Sequence, residues 1–409
     1  WVGWVGWVGW VGWVGWVGSG LFAIGLYPQA VLAQQSPPRV VPHPSAVLLK
    51  GLEIGQRGPA GQAPAALSLE EATRRSREMF MTALDQGDPG WLGRAQAVLS
   101  PWWSSRELPA ESLFVRALIR QGLHDFQAAR LDLKAAIAQD STRAEFWSWL
   151  FAVDLVGSRL PEARASCDQL RRLFGAAEGD ACLGLLHLRS GQPRQGQQLL
   201  DRLAKAAGDP SSASSQWLAF HRGEAYRMLG QPQTARAIWQ EALRAAEKAG
   251  DRAHGLRLAL VELLNDQGLH AEALRFNGLL PRSDALLVQA IRSAKGLGRL
   301  EEARDLTKAF EERLARQRAR GDLSNERPVV VFWLDVEGRP TEALALARQA
   351  WATQREPADA VLLGRAALAT GHRASAEEVV AWVDQTGLVD RPSEGLFRDL
   401  RALASGRRP

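Results

Sequence analysis

The chain carries 409 residues, 46% of them hydrophobic and 23% charged, enough for two or three ordinary domains or one extended array. Net charge is +5, from 50 basic and 45 acidic residues, and the two signs interleave, as in GRLEEARDLTKAFEERLARQRAR at 298–320. That pattern fits solvated helix faces with i,i+4 pairs and argues against the concentrated basic stripe of a nucleic-acid binder.

Residues 1–20 are a low-complexity segment built on six copies of Trp-Val-Gly. An expanded simple repeat in the gene, or a misplaced reading-frame start, accounts for so regular a unit. Read as protein, the run has no charged side chain before Arg39 and is long enough to span a bilayer. Residues 21–33, LFAIGLYPQAVLA, predict a signal peptide or membrane anchor. Val31 and Ala33 stand at the −3 and −1 positions of a cleavage site, so the mature chain is expected to begin near Gln34. Residues 34–66 hold many Pro, Gly and Gln with no period and predict a flexible linker.

From Ser68 onward apolar residues recur at helical spacing in blocks separated by Gly, Pro or Asp, which predicts an all-α region over 67–390. The one strand-like run, VVVFW at 329–333, is in helical phase with its neighbours. The breaks themselves repeat. Gly191, Gly230, Gly268, Gly298, Gly338 and Gly371 are each followed five residues later by Gly196, Ala235, Ala273, Ala303, Ala343 and Ala376. A break-to-break distance of about 30–40 residues predicts stacked units rather than one globule.

These residues resemble the tetratricopeptide repeat, a helix A–turn–helix B unit with small residues where its helices meet. Gly223, Tyr226, Gly230, Ala235, Trp239 and Ala242 match it best. Leu183-Gly184 and Leu363-Gly364 supply the helix A pair elsewhere, and Ala129, Leu133 and Ala136 mark helix B in a repeat whose turn holds two extra residues. The resemblance implies an α-solenoid of about nine such repeats forming a superhelix, with 391–409 as a C-terminal capping helix and tail.

No nucleophile motif, phosphate loop or CxxC pair is present, and the seven His are scattered, so no catalytic, cofactor or metal site is expected. Glu301-Glu302 and Glu377-Glu378 open second helices, where acids suit the helix dipole. Cys167 and Cys182, the only cysteines, fall on helices adjacent in the stack. They form a disulfide if the chain is exported, or serve as two buried thiols. Trp91, Trp102, Trp103, Trp239, Trp351 and Trp382 read as packing residues.

The resemblance also implies that helix A lines a concave, partner-binding face. Counted from each turn, its candidates are Trp147 and Phe151, then Trp217, Phe220, Glu224 and Arg227, then Glu262 and Asn265, then Arg292 and Lys295, with Asp154 beside the first group. Some relatives clamp a terminal carboxylate with Lys and Asn; Trp147, Phe151, Phe220 and Glu224 stand at those positions here. The expected role is therefore a non-enzymatic scaffold or adaptor of the cell envelope. It would be periplasmic or exported, or held at the membrane by its N-terminus, binding a longer peptide or folded protein rather than a small molecule. A cytosolic regulatory array, or a substrate-presenting arm of a separate enzyme, is the alternative.

Overall fold

A computed structural model describes residues 67–86, 88, 90–278, 283–319 and 326–407. The low-complexity segment, the signal or anchor, and the linker at 34–66 lie outside the described residues. Nineteen α-helices and no strand occur among those described. They form nine consecutive pairs and one last helix: α1 Leu69–Gln86 with α2 Gly90–Leu99, α3 Ala110–Gly122 with α4 Phe126–Gln139, and α5 Ala144–Val156 with α6 Leu160–Phe174. Next come α7 Ala176–Arg189 with α8 Pro193–Ala206, α9 Ala213–Met228 with α10 Pro232–Lys248, and α11 His254–Asp266 with α12 His270–Asn277. The series ends with α13 Asp284–Gly296 and α14 Leu300–Ala319, α15 Glu326–Val331 and α16 Pro340–Thr353, α17 Pro357–Thr370 and α18 Arg373–Thr386, and the cap α19 Glu394–Ala404. The VVVFW run is helical, continuing from α15 into a wider π-helical turn at Phe332–Glu337.

Local chemistry explains the boundaries. Pro193, Pro232 and Pro340 open second helices, where a missing N–H costs nothing. Ser212 and Ser283 cap first helices, each accepting from the backbone N–H three residues on. All six turn glycines adopt left-handed φ between 63° and 75°, the conformation that terminates a helix with least strain when Cβ is absent. In the closing bond, the N–H of the next residue reaches back to the last helical turn: Gln231 to the Tyr226 carbonyl (2.9 Å), Leu269 to Leu264 (2.8 Å) and Arg299 to Ala294 (2.9 Å).

Two further turns use the same geometry without glycine. His124 (φ 64°) and Ser158 (φ 56°) occupy the left-handed position, and Asp125 and Arg159 donate the same closing bond, to Arg120 and Asp154. Ala129 and Ala163 follow five residues after them, so the turn after α3 has ordinary length. The two extra residues expected there are absent, because His124 holds the turn position and Gly122 lies within the helix.

Small residues bring paired helices together. A Cβ at Gly196 would lie 2.7 Å from the Gly184 carbonyl oxygen, and one at Gly223 would lie 2.0 Å from Trp239 Nε1. Trp239 fills that gap, 2% exposed, and donates its indole N–H to the Phe220 carbonyl (3.0 Å). First helices also pack on the first helix of the next pair, as α9 on α11, α11 on α13 and α13 on α15, placing them on the inside of the curve.

Cys167 on α6 and Cys182 on α7 are buried and joined by a disulfide with Cα atoms 5.3 Å apart. The bond ties the third pair to the fourth. Closing a loop of this length stabilises by about 3 kcal/mol in the chain-entropy account.

The array does not stay open. The Arg355 amide donates to the Val156 carbonyl (2.9 Å) and the Trp382 indole N–H donates to Ser158 Oγ (2.8 Å). Gly191 lies so close to Gly387 that a Cβ would sit 2.3 Å from the Gly387 carbonyl oxygen. The 3-10 turn Arg391–Ser393, ahead of α19, packs on α9. Residues expected to do no more than cap the last repeat therefore reach back to the middle of the array.

Candidate functional site

Where the curve closes, α9, α11, α13, α15, α17 and the 390–393 segment surround a cavity of about 640 Å³. Its volume falls in the range of about 300–1,000 Å³ typical of ligand sites. Six of the ten residues expected on the concave face line it: Phe220, Glu224 and Arg227 from α9, Glu262 and Asn265 from α11, and Arg292 from α13.

The other four do not. Phe151 is fully buried and Trp217 is 1% exposed. The reason is local: residues 148–156 of α5 are buried without interruption, and Trp217 packs in the core beside His221. On α5 the inward side is taken up by the closing contacts at Val156 and Ser158, and buried Asp154 is an ion-pair partner of Arg130 and Arg159. Trp147 is partly buried and donates its indole N–H to the Ser141 carbonyl (3.0 Å). Lys295 is exposed, and its ammonium donates to the Val336 carbonyl (2.6 Å).

Five arginines and six acids line the cavity. Arg189 pairs with Glu224 (3.0 Å), Arg227 with Asp390 (3.0 Å), and Arg292 with both Asp266 (2.9 Å) and Asp335 (3.1 Å). Arg365 pairs with Asp335, and Arg327 pairs with Glu356 (2.8 Å) and, beneath the wall, with Asp359. Burial works to raise the Glu224 carboxyl, but Arg189 and the hydrogen-bonded His221 outweigh it and hold it well below the usual carboxylate range. Burial likewise opposes charge on Arg227, and Asp390 and Glu224 outweigh it, raising its pKa.

Glu262 is the exception. Among the described residues it has no hydrogen bond and no ion pair. Burial, reinforced by the charge of Asp266, pushes its carboxyl up to about 7, against the opposing pull of Arg292 and Arg227. Asn265 is spent on structure: its amide donates to the Gln289 carbonyl and side chain, both at 3.0 Å, and its oxygen accepts from Ser293 (2.8 Å).

The cavity also takes residues outside those ten, Arg189 and Asp266 from α7 and α11 and others from later pairs. Arg327 and Arg365 belong to first helices whose inward positions repeat counting could have reached. Asp390 carries no such signal, because it arrives from the far end of the array, 163 residues from its partner Arg227.

No family model matches the chain, and no curated protein matches it. Similar solved structures include a Rap protein complexed with competence and sporulation factor, at 12% identity and TM-score 0.47, covering 88% of this chain and 91% of that one. A tetratricopeptide repeat protein from Parabacteroides merdae is similar at 15% identity and TM-score 0.29, covering 72% and 98%. The tetratricopeptide domain of P58(IPK) is similar at 14% identity and TM-score 0.22, covering 82% and 98%. The assignment of the fold rests on the chain's own geometry. With nine helix pairs, a left-handed residue closing the repeated turns and first helices turned inward, the described residues have the fold of a tetratricopeptide-type α-solenoid.

Proposed function

We propose that the protein is a non-enzymatic interaction scaffold that takes a segment of a protein partner into this cavity. The observation that carries the reading is the convergence of first-helix residues from six successive pairs on one cavity whose walls are mixed apolar and ionic. Solenoids of stacked helix pairs present such concave surfaces to partners. The cavity suits a short segment better than a folded domain. A photo-crosslinking residue at Phe220 should trap a partner chain, while the same residue at Arg304, 70% exposed on a second helix, should not. Equal crosslinking from both positions would place the binding surface elsewhere.

We also propose export to an oxidising compartment, supported by the Cys167–Cys182 bond and by the cleavage pattern at Val31–Ala33. Intact mass of the native protein without reductant should show a chain beginning near Gln34 with both thiols oxidised. Two free thiols on an uncleaved chain would point to the cytosol.

A further inference from the structure

The ionic lining of the cavity is unbalanced by one group, and the imbalance has a sign. Each of the five arginines already has an acidic partner within 4 Å. Glu262, half-buried on α11, faces the cavity with no such partner among the described residues. Apolar side chains from its own helix and two neighbouring helices share that lining: Leu263 on α11, Phe220 on α9 and Val288 on α13. Val331 on α15 and Val361 on α17 line the same cavity.

We propose that the cavity selects its ligand by one positive charge: a short peptide whose ammonium or guanidinium group pairs with the Glu262 carboxylate while its apolar side chains lie on Phe220, Leu263, Val288, Val331 and Val361. This rests on the reading of the cavity as the peptide-binding site and adds the chemistry of the peptide. A carboxylate removed from water without a partner is destabilised, and an arriving cation recovers that loss, which an uncharged isostere cannot do. The elevated carboxyl of Glu262, with Asp266 adding repulsion and Arg292 and Arg227 too distant to bond, is the signature of such an unmet charge. The cation has two sources, a basic side chain or a free amino terminus, and both present a cationic N–H donor to Glu262.

Affinity selection from short-peptide libraries on the whole purified chain, read by mass spectrometry, separates the outcomes. One library has free amino termini and the other is N-acetylated. The wild type should enrich Lys- or Arg-bearing peptides about tenfold over their norleucine analogues in the acetylated library. Charge selection confined to the free-terminus library would instead identify the terminus as the group bound, and equally support the proposal. Glu262→Gln should erase the preference, and Glu262→Asp should keep much of it, with thermal unfolding confirming that both variants are folded. Peptides retained without regard to charge, or a preference that survives Glu262→Gln, would overturn charge selection and leave the peptide site standing. No retention from either library would remove both readings. Should Glu262→Gln not fold, the wild-type enrichment and the Asp variant still decide.

Discussion

Replacing Arg327 by Met should cost about 3–5 kcal/mol of stability, the range for breaking a buried ion pair from one side. The Arg327 guanidinium is 6% exposed and donates to both Asp359 oxygens, one at 2.6 Å, and to Glu356 at 2.8 Å. Burial disfavours its charge, yet the two carboxylates outweigh burial and raise its pKa further above its ordinary value. Removing it strands two carboxylates at the start of α17, where Glu356 and Asp359 also form the reciprocal capping box. Adding Asp359→Asn to Arg327→Met should restore part of the loss, because one stranded charge disappears with it. Urea unfolding followed by circular dichroism measures both. A loss below about 1 kcal/mol for the single variant would show that the cluster is solvated and contributes like a surface pair.

Trp217→Ala should destabilise by about 3–5 kcal/mol, as expected for emptying a fully buried aromatic site. The indole is 1% exposed and meets the His221 ring edge-on at 4.5 Å between centroids. Expected from sequence as a groove anchor, Trp217 is instead part of the core, so its loss should appear in stability before it appears in binding. Phe220, one turn along and 6% exposed, reaches the cavity wall. Should Trp217→Ala leave the unfolding midpoint unchanged while abolishing partner capture, the indole belongs to the binding surface after all.

These two residues show what was legible in the sequence. The pairing of helices is readable because backbone geometry favours a specific residue: glycine recurs at six of the turns that need positive φ. The turns at His124 and Ser158 escaped because there the surrounding packing imposes that conformation on residues that seldom adopt it unaided. Phe220, Glu224, Arg227, Glu262, Asn265 and Arg292 were found by counting inward positions from each turn, a local rule. The same count failed for Phe151 and Trp217, because whether an inward position meets a cavity or another helix depends on how the array curves. Curvature sums small rotations over many repeats, and no single repeat records it. Asp390 and the partners of Arg327 were invisible for the same reason.

The closing contacts also change how such a chain folds. An open stack gains each pair's stability from its immediate neighbours, so it can grow from any point and fray from either end. Here the Trp382 indole is held by Ser158, 224 residues earlier in the chain. That bond cannot form until every intervening pair is in place, since only the assembled arc brings the two together. Docking the last pairs onto the middle of the array is thus the late, slow-to-nucleate event, carrying the loop-closure entropy of more than half the chain. The C-terminal pairs, which in a simple stack would be first to open, are held by the region that is completed before them.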